Sequence, residues 1–366
     1  MSSRSIKSFP QEIIVEILLR LPVKSLCRSR SVCKLWLALI NDPHFIASHL
    51  RHTKTHKLIL ASHSLYSVNY EATPIDEELV ALELDFPLKS VPRNAPVQIF
   101  GSCNGLLCIK SVPEAFFLFN PATGESRRVP EFQLTTLNHS CIHGFGYCEV
   151  TDDYKVVKVI VPSIVCVFSL RTGSWRRVKD CHYLYPYCAS GTPLNGAIHW
   201  VLTRPGDGVV NVVVAAFDLA EEVFTDISLP EALREISLPE ALRDFGLSSL
   251  ATGVLGGCLC VLHHHGGLSR EFWVMKEYGV VESWTKVLIQ QPYHVLRPLC
   301  ILKNCKMLLA MNGQHLVLCD RRDGSCKDFM VVNMPLLFDA DVYVESLVSP
   351  KYRYRNQDLL MEGNNQ

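Results

Sequence analysis

Several things are missing from this chain of 366 residues, and each absence closes a route. There is no excess of charge, because 36 Lys and Arg stand against 36 Asp and Glu. Nucleic acid, which calls for a concentrated basic face, is therefore not an expected partner. There is no apolar run long enough for a membrane. The most apolar stretch, Val156 to Leu170, is broken by Lys158 and Pro162, and a spanning helix needs about 20 apolar residues. The start, MSSRSIKSFP, has no apolar core of the kind a secretory signal carries. No phosphate-binding loop, Ser–His–Asp set or paired carboxylates stand out. The expectation is a soluble protein of the cytoplasm and nucleus, without membrane insertion, without a cofactor or metal, and without covalent chemistry of its own.

Cysteine is plentiful, at 15, but no CxxC pair occurs. Cys108, Cys166, Cys258 and Cys260 sit inside apolar runs, where reduced cysteine acts as a small buried hydrophobe. His263, His264 and His265 follow the last two and raise the idea of zinc. A tetrahedral site needs spaced ligands from converging elements, whereas consecutive residues in a strand point to alternate sides. A loop tip on a strand pair is the expectation there.

What is present falls into two parts. Residues 9–50 read as short amphipathic helices punctuated by Pro10, Pro22 and Pro43. Ile13, Ile14, Ile17, Leu18 and Leu21 recur with helical period, and Glu16 and Arg20 stand at a favourable i,i+4 spacing. Pro10 suits a first turn, and Pro22 forces Leu21 out of the helix. Val23 and Leu26 open a second helix. Val32, Leu35, Trp36, Leu39 and Ile40 make a third stripe, and Asp42-Pro43 reads as a cap followed by the first residue of a fourth helix. A unit of about 45 residues is marginal alone, so leftover apolar surface points to a partner.

Beyond about residue 55 the pattern changes to strands, and a repeat emerges. LFNPATGESRRV (118–129), VFSLRTGSWRRV (167–178), AFDLAEEVFTDI (216–227) and LCDRRDGSCKDF (318–329) share a strand–turn–strand form. VMKEYGVVESWTKV (274–287) is a longer copy. Each follows another strand pair, several joined by Asn-Gly or Gly-Gly, which are hairpin signals. Units of about 45 residues with four strands each suggest propeller blades. With residues 57–87 and 342–350 sharing one blade, the expectation is six, with seven blades or an open β-sandwich as alternatives. The fold class is thus mainly β: helices over 1–52, a closed propeller over 53–350, and a flexible tail over 351–366.

FPQEIIVEILLRLPVKSLCRSRSVCKLWLALI closely resembles the F-box. GSCNGLLCI, LFNPATGE, GFGY..VTDDYKVV, GT.LNGAIHW and WVMKEYGV.ESWTKV resemble the F-box-associated domain of plant F-box proteins. The resemblance is especially close to the type that represses defence by controlling immune-receptor levels, and the pollen S-locus type is related. It implies docking to the Skp-type adaptor of a cullin–RING ubiquitin ligase. It also implies a protein substrate held by the propeller, with an immune receptor among the candidates. Matched position by position, Pro10, Ile13, Ile17, Leu21, Pro22, Leu26, Val32 and Trp36 are the expected docking surface and its support, and Ile14, Leu35 and Leu39 are expected inside. A scaffold or lectin-like propeller without a ligase role is the alternative.

Other features carry plainer readings. Trp175, Trp200 and Trp284 are expected to pack between blades from comparable positions. Asp152-Asp153 reads as a turn. One member each of Arg127-Arg128 and Arg176-Arg177 is expected to face outward. ISLPEALRE (227–235) is followed at once by ISLPEALRD (236–244), a tandem copy that suits short helical turns at Pro230 and Pro239.

Overall fold

The computed structural model describes residues 10–53, 55–71, 78–89, 96–111, 115–132, 141–160, 164–178, 182–183, 190–205, 210–234, 250–265, 269–287, 289, 296–302, 305–311 and 313–351. Four helices come first: α1 Gln11–Leu19, α2 Val23–Ser29, α3 Lys34–Ile40 and α4 Pro43–His52. Prolines set the first two boundaries, since Pro10 and Pro22 are the residues that precede α1 and α2. Asp42 caps α4 by accepting from the backbone N–H groups of His44 (2.9 Å) and Phe45 (3.2 Å), which satisfies donors that the first turn leaves without partners.

Six four-stranded sheets follow. The first blade joins the two ends of the domain, its strands being β1 His56–Ala61, β2 Leu65–Val68, β4 Leu82–Glu83 and the far β26 Asp339–Val344. Strand β26 is innermost and pairs antiparallel with β1 from His56 opposite Val344 to Ala61 opposite Asp339. The second blade holds β5 Gln98–Cys103, β6 Leu106–Ser111, β7 Ala115–Phe119 and β8 Ser126–Val129. The third holds β9 Cys141–Cys148, β10 Asp153–Ile160, β11 Ile164–Ser169 and β12 Ser174–Arg177. The fourth holds β13 Thr192–Leu194, β14 Ala197–Pro205, β15 Val210–Asp218 and β16 Phe224–Ile227. The fifth holds β17 Leu250–Leu255, β18 Cys258–His265, β19 Ser269–Met275 and β20 Trp284–Val287. The sixth holds β21 Leu296–Ile301, β22 Met307–Met311, β23 His315–Cys319 and β24 Cys326–Asp328. Two short strands, β3 Leu79–Val80 and β25 Val331–Val332, pair parallel between the sixth and first blades.

The repeat is the outer hairpin of the second to sixth blades, and its turn is written in local chemistry. The third residue of each short copy accepts hydrogen bonds from the turn it opens. Asn120 accepts from Ala122 (2.8 Å), Ser169 from Thr172 (3.1 Å), Asp218 from Ala220 (2.7 Å) and Asp320 from Arg322 (3.0 Å). The turn then needs a residue at positive φ. Gly124, Gly173 and Gly324 fill it in three copies and Glu222 in the fourth, at some backbone cost for a residue with a Cβ.

Glu222 has a use for its side chain. Its carboxylate accepts from Lys155 Nζ at 2.8 Å and pairs with Arg176, both from the third blade. The Lys155 and Glu222 side chains are 6% and 8% exposed, so this is a buried bridge between blades. Arg127, at the position in its copy that Arg176 holds in the next, donates to the carbonyl of Leu170 (3.1 Å). The first arginine of each pair is thus an inter-blade strut, while Arg128 is exposed beside Glu131.

Trp175, Trp200 and Trp284 all reach back to the preceding blade. The indole N–H of Trp175 donates to Pro130 O (2.6 Å), that of Trp284 to Ser228 O (3.0 Å) and that of Trp200 to His143 O (3.1 Å). Their positions are not all comparable: Trp175 and Trp284 lie on fourth strands, and Trp200 on a second strand. Asp152 occupies a turn at φ 47° and accepts from Tyr147, while buried Asp153 accepts from Ser169 Oγ and Arg171 N. The expected set of reduced cysteines has an exception. Cys319 and Cys326 face each other across β23 and β24 with Cα atoms 4.0 Å apart, and they form a disulfide. His263 to His265 end strand β18 rather than forming a loop tip. The first ISLPEALR copy makes a helical turn at Glu231–Arg234 with Leu229 and Leu233 fully buried. The second copy at 236–244 and the tail beyond 351 lie outside the described residues.

Candidate adaptor-docking surface and central cavity

The helical unit has a core of its own. Leu18, Leu19, Val23, Leu26, Ile40 and Phe45 are buried together. The period that makes α1 amphipathic therefore serves two faces. Leu18 and Leu19 go in, while Ile13 and Ile17 on the same helix stay out, at 46% and 51% exposed.

The sequence-predicted docking residues divide accordingly. Pro10, Ile13, Ile17, Pro22 and Val32 are exposed. Leu21 and Trp36 are half-buried against the core. Leu26 is fully buried and supports from beneath. Leu35 corrects the reading that placed it inside, because it is 53% exposed, and Leu37 two residues on is exposed as well. Ile14 and Leu39 pack against the core as expected. The reason is geometric: helical periodicity fixes which residues share a stripe, but Leu35 lies on the flank that the neighbouring helices leave uncovered. The Leu21-Pro22 corner is held by buried His49, whose Nε2 donates to Leu21 O at 2.9 Å.

The charge around these residues favours an acidic partner. Residues 10–53 contain six Lys and Arg (20, 24, 28, 30, 34, 51) against three acids (12, 16, 42). Arg20 pairs with Glu16 at 3.0 Å in solvent, a geometry worth little to stability. Such a rim acts mainly on association rate.

The ring encloses a cavity of about 610 Å³ lined by the innermost strands, with Gly101, Thr192, Thr252, Gly253, Arg297 and Asp341 among its walls. Gly253 is required there, since a Cβ would come within 2.5 Å of Pro298 on the next blade. Arg297 donates to Asp339 (2.7 Å) and Asp341 (3.3 Å), tying the sixth blade to the first. Burial raises the Asp341 carboxyl above its ordinary range, and the Arg297 charge opposes that shift. Asp339 and Asp341 are two apart on one strand, so they share one of its faces. That spacing is visible in the sequence, whereas their partner Arg297 is brought to them only by the closed ring. Among the described residues no group of three His, Cys, Asp or Glu is placed to hold a metal, and no helix is long and apolar enough to cross a membrane.

Two family models match the chain in agreement with this architecture. Residues 6–48 match the F-box domain and residues 56–349 match the F-box associated beta propeller domain. The chain is similar to F-box protein CPR1 of Arabidopsis thaliana, 33% identical over 93% of this chain and 89% of that protein. It is also similar to F-box/kelch-repeat protein At3g23880 of the same plant, 28% identical over 94% and 96% of the two. Among solved structures, the SapL1 lectin in complex with alpha methyl fucoside aligns at TM-score 0.46 and 11% identity, covering 78% of this chain and 99% of that one. The chain belongs to the F-box proteins that carry an F-box-associated β-propeller, an architecture for substrate recognition in SCF-type ubiquitin ligases.

Proposed function

We propose that this chain is the substrate receptor of an SCF-type ubiquitin ligase, working in the cytoplasm and nucleus. The helical unit docks a Skp-type adaptor, and through it the cullin and RING proteins, with Ile13, Ile17, Leu21, Pro22, Val32 and Trp36 as contacts or immediate support. The propeller holds a target protein. Its contribution is proximity, since holding a target lysine near a charged ubiquitin carrier raises the effective concentration of the reactants. No residue of the chain is assigned covalent chemistry, and no cofactor is required. The motif resemblance to the defence-repressing type makes an immune receptor the target class to test first.

The observation that carries this reading is the set of large aliphatic side chains left outside a small helical core, in a segment that matches the F-box. The buried core of an interface is more apolar than the surrounding surface, and an aromatic such as Trp36 beside these side chains is a typical anchor. A pull-down with a plant Skp-type adaptor tests it. Wild type should co-purify, and Leu21→Ala/Pro22→Ala/Trp36→Ala should not. Equal binding by the triple variant would overturn the docking assignment, and no binding by folded wild type would overturn the ligase role. Proximity labelling with the helical unit deleted, so that targets are held but not consumed, identifies the substrate; the absence of immune receptors from the labelled set would remove that class.

A further inference from the structure

The core of the helical unit contains one residue from the far end of the chain. Leu347, 1% exposed, packs with Leu18, Leu26 and Phe45 of the F-box helices. Its neighbour Val348 packs instead into the core shared by the second and third blades, where Ile46 and Leu50 of α4 also rest. Two consecutive residues thus enter two different cores, one on each side of the domain boundary.

The backbone between them is held from the propeller. Asn120, fully buried in the second blade, donates from Nδ2 to Ser346 O (3.0 Å) and Val348 O (2.7 Å). Ser346 Oγ donates to Asn104 O at 2.7 Å. Gly105 beside it leaves room for this contact, as a Cβ would lie 2.2 Å from Ser346 Oγ.

Asn120 differs from its counterparts in the repeat. The turn asks only for an acceptor, which Ser169, Asp218 and Asp320 supply in their copies. An amide accepts and donates at once, whereas a carboxylate only accepts. The copy beside the C-terminal segment is the one that has the amide.

We propose that Ser346–Val348, clamped by Asn120, couples the adaptor-docking unit to the propeller so that the two move as one body. This rests on the ligase reading for its purpose: the coupler fixes where a bound target sits relative to the adaptor. Asn120 and Leu347 are positioning residues for ubiquitin transfer and touch neither adaptor nor target.

The test uses the full chain with its Skp-type adaptor, carrying a donor and an acceptor dye through non-canonical amino acids at positions 47 and 277, both exposed. Single-molecule energy transfer should give one narrow distance distribution for wild type. Asn120→Asp keeps the turn acceptor, removes the donor and sets a charge against two carbonyls. It should broaden that distribution at least twofold while adaptor co-purification persists. Leu347→Ser should do the same, and if it fails to fold, Asn120→Asp decides alone. A broad distribution in wild type, or an unchanged narrow one in Asn120→Asp, would overturn the coupler. The same measurement on the chain without adaptor should give the same distributions, so loss of adaptor binding by wild type would count against the ligase reading only.

Discussion

The ring and the helical unit treat their large side chains in opposite ways. Among the described residues most of the large side chains on the second and third strands of each blade are buried, and the ring closes on itself through β26 and β1. The helical unit leaves Ile13, Ile17, Val32, Leu35 and Leu37 at least 42% exposed and takes Leu347 from elsewhere in the chain to finish its core. Fully burying one such side chain is worth about 1.5–3 kcal/mol, so the unit forgoes several kcal/mol that a partner can recover. The ring also has exposed apolar residues, some near the parallel pair β3 and β25 (Met330, Leu336 and Leu337) and others scattered singly over other blades, among them Val150, Val223 and Tyr278. The ring closes over its own core, whereas the small bundle keeps an apolar face that a partner can cover.

The most severe way to break this contrast is to open the ring. Truncation after Phe338 removes β26, the innermost strand of the first blade, together with buried Ala340, Tyr343, Leu347 and Val348. The expected outcome is loss of the cooperative transition in calorimetry. A truncated chain that still melts sharply near the wild-type temperature would show that closure is not what holds the blades together.

The bridge between the third and fourth blades comes next in size. Glu222→Gln leaves Lys155 buried without its counter-charge, and breaking a buried pair from one side costs about 3–5 kcal/mol. Urea unfolding should show a loss near the lower end, because Lys155 keeps its bond to Leu219 O. Adding Lys155→Met to that variant should recover most of the loss, and a double variant no better than the single would refute the coupling.

The contrast also explains what the sequence reveals and what it hides. The repeat is legible because its turn is local: an acceptor at Asn120, Asp218 or Asp320 sets the start, and in three copies of four a glycine stands four residues on. Closure is legible because VYVESLVSP is a strand left over. What is hidden needs the third dimension. Period 3.6 puts Leu26 and Leu35 on apolar stripes, but only the packing of α1, α2 and α4 decides that the first is core and the second is surface. Leu347 stands some 300 residues from the helices it completes. Trp200 shares the inter-blade role of Trp175 and Trp284 from a different strand, so aligning the copies of the repeat does not find its place. Cys319 ends an apolar run like the buried cysteines elsewhere, whereas Cys326 sits among polar residues, and their pairing shows only once β23 and β24 are set in register.

Acid should weaken the ring by a measurable slope. His143 lies buried between Phe100 and Phe116, and neither ring nitrogen has a hydrogen-bond partner among the described residues. Burial, with Lys110 and Lys158 adding to it, pushes its pKa well below the ordinary value, and burial also lowers that of His199. A histidine held neutral in the fold favours the folded state above its unfolded pKa of about 6.5. Below that pH the unfolded chain binds the extra proton, and stability falls by up to about 1.4 kcal/mol per pH unit until the folded pKa is reached. His143→Leu should flatten part of the slope between pH of about 6.5 and about 5, leaving the share due to His199. Parallel slopes for the two proteins in pH-dependent urea titrations would rule His143 out as a source.

The smallest effect on folding is expected where the effect on binding is largest. Ile17 and Leu35 are half exposed or more, so Ile17→Ser or Leu35→Ser gives up little burial in the free chain. Surface substitutions of this kind usually stay within about 0.5 kcal/mol of wild type, and the melting temperature should not move beyond error. If these side chains are the unpartnered half of the helical unit, the same variants should lose roughly 10-fold or more in adaptor affinity, since tenfold is about 1.4 kcal/mol and fully burying such a side chain is worth about 1.5–3 kcal/mol. Titration calorimetry with the purified Skp-type adaptor measures this directly. Leu26→Ala is the informative control, because it is fully buried and should lower both stability and binding. Were Leu35→Ser to destabilise the chain as much as Leu26→Ala, the exposed face would belong to the core, and the contrast between the open unit and the closed ring would fail at its most specific point.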